Sequence, residues 1–254
     1  MGLFDKIFEK KICDICGAEI GLLGNKKLED GNCCKNCAGK LSPFFSDRRS
    51  STIEEIKQQL AYREANKAEV AKFRVTRTIG TDSKKILLDE DARRFVVTSA
   101  RNLNEANPDV LEYSMVTGCD MDIRDHQTEE KRKDAEGKMV SYVPPRYRCY
   151  YDFYLTIHVN HPYFDEIELK LNDTSIETTP VTGAPANRLP DPRYNNEYRE
   201  HEEMGKDIIA ILSDVRQQAR AEAAPKAAST CPYCGATTIP DANGCCEFCG
   251  GAMN

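Results

Sequence analysis

Eight of the twelve cysteines in this 254-residue chain occur in two groups that have the spacing of metal ligands. The first group is Cys13, Cys16, Cys34 and Cys37, and the second group is Cys231, Cys234, Cys246 and Cys249. Each group consists of two C-x-x-C pairs, separated by 17 residues in the first group and by 11 in the second. Two residues between paired cysteines allow one tight turn to direct both sulfurs at one ion, and two such turns complete a tetrahedron. The sequence therefore predicts two structural zinc ions, each with four cysteine ligands.

Both groups also contain a doubled cysteine, Cys33-Cys34 in the first and Cys245-Cys246 in the second. The second member of each doublet preserves the two-residue spacing, so Cys33 and Cys245 are left without a metal role. Two interpretations are open for these thiols, a packed side chain and a redox group. A packed thiol is favoured, because reactive cysteines need an environment that lowers their pKa.

No pattern typical of an active site occurs in the sequence. Catalytic zinc needs an open coordination position and usually His or carboxylate ligands, and no histidine lies within either cysteine group. The chain contains no H-E-x-x-H, Walker or G-x-G-x-x-G sequence. A rubredoxin-like iron site is an alternative for residues 231–235, but the aromatic core that surrounds such a site is missing. We therefore expect a protein that is not an enzyme.

The N-terminal cysteine group lies in a longer recognisable stretch. Its segments are KICDICG at 11–17, GLLGNKKLEDG at 21–31 and CKNC at 34–37, and the likeness extends through residues 41–43 and 53–66. This stretch resembles the N-terminal zinc-ribbon domain of a bacterial family of unknown function. The resemblance implies a bacterial cytoplasmic protein with a zinc-binding N-terminus, and it implies no activity. Residues 231–250 are similar to the short zinc ribbons appended to many bacterial proteins.

The charge of the chain restricts its partners. The formal net charge is −6, and two tetrathiolate zinc sites would bring it to about −10. An acidic protein is poorly suited to bulk binding of nucleic acid, which depends on neutralising phosphates. The sequence has no apolar run long enough to span a membrane and no secretory leader, so a cytoplasmic location with reduced thiols is expected.

The chain divides into four predicted parts: a zinc ribbon at 1–50, a connecting helix at 51–72, a body at 73–222, and a linker with a second ribbon at 223–254. Ser51 or Thr52 can cap the helix together with Glu54 or Glu55. In the body, residues 147–159 and 166–171 alternate between apolar and polar types, which predicts antiparallel strands. A proline-rich loop at 180–193 and a helix at 194–221 follow. The expected class is α+β, and the order of elements is similar to a pleckstrin-homology-like module.

Two weaker patterns leave alternatives. Residues 1–11 are amphipathic at helical spacing, and they fit packing against protein better than docking on an anionic membrane. The basic run Lys131-Arg132-Lys133 is diluted by neighbouring acidic residues and predicts a solvated loop. The function that we predict is a non-enzymatic, zinc-stabilised binding or adaptor protein with a protein partner. The alternatives are a peripheral membrane factor that uses its N-terminus, and nucleic-acid binding through Lys26, Lys27 and Lys35 of the first ribbon.

Overall fold

The computed structural model describes residues 11–81, 84–178, 189, 191–223, 228–241 and 244–253. The chain forms two compact units, one up to residue 216 and one from residue 217 onward. The amphipathic N-terminal segment and most of the proline-rich loop lie outside the described residues. Among the helices of the described part, none is long and apolar enough to cross a membrane.

Fourteen strands and four helices make up the described secondary structure. The strands are β1 (Lys11–Ile12), β2 (Glu19–Ile20), β3 (Lys26–Lys27), β4 (Asn32–Cys33), β5 (Arg77–Gly80), β6 (Lys85–Asp89), β7 (Arg94–Thr98), β8 (Leu111–Glu112), β9 (Val116–Lys133), β10 (Met139–His161), β11 (Phe164–Lys170), β12 (Ile176–Thr178), β13 (Ser229–Thr230) and β14 (Thr237–Thr238). The helices are α1 (Lys35–Ala38), α2 (Ile53–Lys72), α3 (Leu103–Ala106) and α4 (Asn196–Ala223), and 3-10 turns occupy Asp47–Ser50, Tyr113–Met115 and Pro192–Tyr194.

Helix α2 begins at a capping box. The backbone N–H of Glu55 donates to Thr52 Oγ1 at 3.3 Å, and the backbone N–H of Thr52 donates to Glu55 Oε2 at 2.7 Å. These two bonds satisfy donors that a helix N-terminus otherwise leaves unpaired. The predicted start of the connecting helix is therefore confirmed.

Two antiparallel sheets form the body. One has the strand order β5-β6-β7-β8, and in the other β10 pairs with β9 along one edge and with β11 and β12 along the opposite edge. Phe153, Leu155 and Ile157 of β10 are fully buried, which confirms the predicted alternation. Helix α4 closes the core with Tyr198 and Leu212. The α+β class with antiparallel sheets and a C-terminal helix is thus confirmed.

Strands β9 and β10 continue beyond the sheet as a projecting hairpin. From Met139 to Arg148, β10 pairs with β9 alone, and no residue between 124 and 148 is buried. We call residues 124–148 the arm. The prediction of a loop around Lys131–Lys133 is wrong, because these residues belong to β9. Their charged side chains show no apolar alternation, and the strand is held by its backbone pairing with β10.

A buried ion pair joins the first ribbon, helix α2 and the segment that precedes strand β8. Arg63 Nη1 lies 2.7 Å from Asp109 Oδ1, and the two side chains are 8% and 0% exposed. Arg63 also donates to the carbonyl oxygens of Lys40 and Asn107, and Ser42 Oγ donates to Asp109 Oδ2 at 2.7 Å. Residues that precede α2 in the chain and residues that follow it therefore meet at one pair of charges.

Loss of one member of this pair is expected to destabilise the fold strongly. Asp109→Ala leaves the Arg63 guanidinium buried without its counter-charge, which costs about 3–5 kcal/mol. Glu64→Ala is the matched control, because it breaks the exposed Lys67–Glu64 pair one position along the same helix and costs about 1 kcal/mol or less. Urea unfolding of both variants measures the difference, and equal midpoints would contradict this role of the ion pair.

Candidate metal centres

The N-terminal centre brings together the four cysteines that the sequence predicts. The Sγ atoms of Cys13, Cys16, Cys34 and Cys37 all lie within 4.8 Å of one another, and the Cys16 and Cys34 sulfurs are 3.8 Å apart. A tetrahedral zinc ion with bonds of about 2.3 Å places its sulfurs about 3.8 Å apart. The donor set and its spacing therefore fit a closed tetrathiolate zinc site.

Two different local structures supply these ligands. The first pair sits in a turn that ends at Gly17, whose φ of 74° lies in the left-handed region that glycine favours. The second pair opens helix α1, where Cys34 is the N-cap and its Sγ accepts from the backbone N–H of Cys37 at 3.4 Å. Because the chain continues as a helix after Cys37, no left-handed residue is required there. This explains why Ala38 stands where the other three pairs are followed by glycine.

Backbone donors favour thiolates at this centre. Burial opposes the charge of Cys13, but backbone N–H groups of Cys34, Cys16 and Ile15 lower the pKa of its thiol to about 6. The N–H of Cys34 donates to Cys13 Sγ at 3.2 Å. Burial and hydrogen bonds to neighbouring sulfurs raise the pKa of Cys37. A zinc ion bound here would supply the positive charge that holds all four sulfurs as thiolates.

Cys33 lies next to a ligand but is not one. Its side chain is fully buried, and its thiol donates to the carbonyl oxygen of Cys34 at 3.4 Å. Burial raises the pKa of Cys33 to about 11, which disfavours the thiolate that redox chemistry needs. The geometry therefore supports the packed-thiol interpretation.

The C-terminal centre has the more symmetric construction. Cys231 Sγ lies 3.6 Å from Cys249 Sγ, and Cys234 Sγ lies 3.6 Å from Cys246 Sγ. All four sulfurs lie within 4.8 Å of one another, so this donor set also fits a tetrahedral zinc ion. The backbone N–H of Cys234 is the largest of the interactions that lower the pKa of Cys231 to about 6.

Each C-x-x-C turn of this centre, called a knuckle below, ends at a glycine. Gly235 donates to the carbonyl oxygen of Cys231 at 2.9 Å, and Gly250 donates to that of Cys246 at 2.8 Å. Their φ values of 73° and 70° are left-handed. Glycine adopts this backbone conformation without the steric cost that a Cβ atom would bring.

The two ribbons differ in how their knuckles are covered. In the first ribbon Ile15, between the paired cysteines, packs into a buried cluster that includes Ile56 of helix α2. In the second ribbon the residues at the same knuckle position are Tyr233 and Phe248, and they are 72% and 70% exposed. The C-x-x-C spacing locates the ligands in both ribbons, but it carries no information about which knuckle is covered.

Comparison with known proteins gives a family match over the first ribbon. Residues 11–59 match the family model of a domain of unknown function, DUF4428. The match covers the first zinc-ligand group and the first turns of helix α2. The chain shows no significant similarity to a curated protein or to a solved structure.

Metal content tests the assignment of the ligands. We expect native mass spectrometry to find two zinc ions per chain, one for each cysteine group. Cys16→Ser should leave one zinc ion, because it removes a ligand of the first centre alone. Cys33→Ser is the matched control, since it changes a neighbouring thiol and should keep both ions. Retention of both ions by Cys16→Ser, or loss of one by Cys33→Ser, would contradict the ligand assignment.

Proposed function

We propose that this protein is a non-enzymatic binding protein that is stabilised by two structural zinc ions and presents its arm to a protein partner. The observation that carries the proposal is the arm itself, in which no residue from 124 to 148 is buried. A two-stranded hairpin is marginally stable alone in water, so a long projecting one without a core of its own suits a partner surface. The match to DUF4428 implies no activity, because the function of that domain is unknown.

The arm is fastened at its base by charged side chains. Arg148 contacts Glu130 of β9 and Glu177 of β12, with distances of 2.5 and 2.9 Å. The guanidinium of Arg124 lies 3.8 Å from the centroid of the Tyr154 ring and bonds to Glu168 of β11. These contacts attach the base of the hairpin to the sheet. The side chains of its outer part stay accessible to a partner.

A bulge on the arm presents apolar side chains. The pairing register of β10 shifts between Ser141 and Arg146, so residues 142–145 leave the ladder, and Val143 is 94% exposed. Arg146 lies 4.5 Å from the centroid of the Tyr142 ring. Aromatic and arginine side chains are enriched in the centres of protein interfaces, and we therefore place the contact with the partner at this bulge.

The second ribbon offers an accessory surface. The exposed rings of Tyr233 and Phe248 occur on a segment, 228–253, that contains acidic residues and no lysine or arginine. A closed tetrathiolate zinc site adds further negative charge. Such a surface fits a partner segment that combines apolar and basic side chains.

The chemistry of the single thiols in β9 and β10 supports a role without catalysis. Burial raises the pKa of Cys119 to about 12 and also raises the pKa of Cys149, so neither thiol is activated as a nucleophile. The membrane alternative depends on residues 1–10, which lie outside the described part. The pleckstrin-homology-like topology of residues 73–222 and the cytoplasmic location stay predictions.

Site-specific photo-crosslinking in cells tests the proposed partner surface. Val143→p-benzoylphenylalanine should give a discrete crosslinked protein, because this side chain stands at the centre of the bulge. The same probe at Glu64, whose side chain is 72% exposed on helix α2, is the control and should not give that product.

Deletion of residues 142–145 provides the matched loss-of-function variant. It joins Ser141 to Arg146 and removes the register shift, so the protein should keep both zinc ions. With the probe moved to the neighbouring Tyr147 position, the crosslink should be strong in the full chain and lost in the deletion variant. Identical products from the Val143 and Glu64 probes, or from the Tyr147 probe with and without the bulge, would contradict the proposal.

A further inference from the structure

A cationic cavity lies on the first ribbon, apart from its cysteine ligands. Its volume is about 680 Å³. The lining contains four positively charged residues and one negatively charged residue, and its members are Asn25, Lys26, Lys27, Leu28, Glu29, Arg48 and Arg49. The sequence alone does not predict that these residues line one cavity, since the two basic pairs are separated by more than twenty positions.

The fold brings the two basic pairs together. Lys26 and Lys27 form strand β3, and Arg48 and Arg49 lie on the 3-10 turn that precedes helix α2. Arg48 Nη1 donates to the carbonyl oxygen of Lys27 at 2.5 Å. The backbone N–H of Glu29 donates to the carbonyl oxygen of Ser51 at 3.0 Å, which also connects this segment to the chain before helix α2.

The four cations outnumber the one carboxylate of the cavity lining, which belongs to Glu29. Among the described residues, none of Lys26, Lys27, Arg48 and Arg49 forms an ion pair, although several exposed cations elsewhere do, such as Lys67, Lys72 and Lys206. The chain as a whole has a net charge of −6. A local excess of positive charge on an acidic protein indicates an anion site, because overall composition does not account for it.

A buried polar atom at the same cavity needs a donor. The Nδ2 group of Asn25 bonds to Asn32 Oδ1 at 2.8 Å, but Asn25 Oδ1 is buried and has no hydrogen-bond partner. Buried acceptors are normally paired, with water where no protein donor is present. A ligand hydroxyl or a water in the cavity would supply this donor.

We propose that this cavity binds a small organic ligand through a phosphate group. Arg48 and Arg49 would contact phosphate oxygens through their planar guanidinium groups, and the two lysines would add point charges. Cavities of about 300–1,000 Å³ are typical of small-molecule sites and exceed the space that a bare phosphate needs. The same chemistry is offered by a free phosphate ester and by the headgroup of a lipid.

Isothermal titration of the zinc-loaded full chain with inorganic pyrophosphate tests this site. Constant ionic strength is required because salt screens exposed charges. Saturable binding is expected, and Lys26→Gln/Lys27→Gln should weaken it by about tenfold or more. Lys57→Gln/Lys67→Gln removes the same charge from exposed positions of helix α2 and is the matched control, with binding unchanged. Arg48 is left intact in these variants because its bond to Lys27 supports the local fold.

Sedimentation with phosphatidylcholine vesicles, with and without phosphatidic acid, distinguishes the two phosphate sources. Binding of pyrophosphate alone supports a free phosphate ester. Additional vesicle binding that depends on phosphatidic acid and on Lys26 and Lys27 supports a lipid headgroup. Absence of saturable pyrophosphate binding, or equal weakening in the control variant, would overturn the proposal. Both lysine variants keep the arm, so a failure here is separate from a failure of the proposed partner surface.

Discussion

The ion pair between Arg63 and Asp109 is the interaction on which the arrangement of the larger unit depends. Removing two charges from water is costly, and the cost is offset only when the geometry is good and the remaining polar groups are also bonded. Here the carbonyl oxygens of Lys40 and Asn107 and the hydroxyl of Ser42 complete the set. Because these groups come from the ribbon and from the segment that precedes strand β8, the pair is satisfied only when both are folded against helix α2.

The first cysteine group is therefore coupled to the body through helix α2. Cys13, Cys33 and Leu28 share one buried cluster with Ile56 of this helix. A ribbon of this size has too small a core to fold on apolar burial alone, and a structural zinc site contributes about 10–16 kcal/mol of apparent binding energy. The second ribbon has still less, because its described core consists of two cysteine ligands and Met253. Zinc bound at these centres would therefore contribute folding energy to both ribbons.

Local patterns were sufficient to predict some features and insufficient for others. The ligand pairs and the capping box at Thr52 depend on residues a few positions apart, so their spacing identifies them. The ion pair joins residues that are 46 positions apart, and the buried face of α2 contains Gln59 and Asn66, which no apolar stripe reveals. The arm escaped prediction because residues 124–133 of β9 are charged or polar on both faces of the strand. The cationic cavity escaped because only the tertiary fold places Arg48 beside β3.

Hydrogen–deuterium exchange tests the coupling between the first zinc centre and the body most directly. In Cys16→Ser, loss of the metal should accelerate exchange in the ribbon and also around Asn107, Asp109 and strand β8, because the buried ion pair loses the partners that the ribbon supplies. Cys234→Ser, which removes the second centre instead, should leave these amides as slow as in the unaltered chain. If residues 107–112 exchange equally slowly after the first zinc is lost, the ribbon is an independent appendage and the account is wrong.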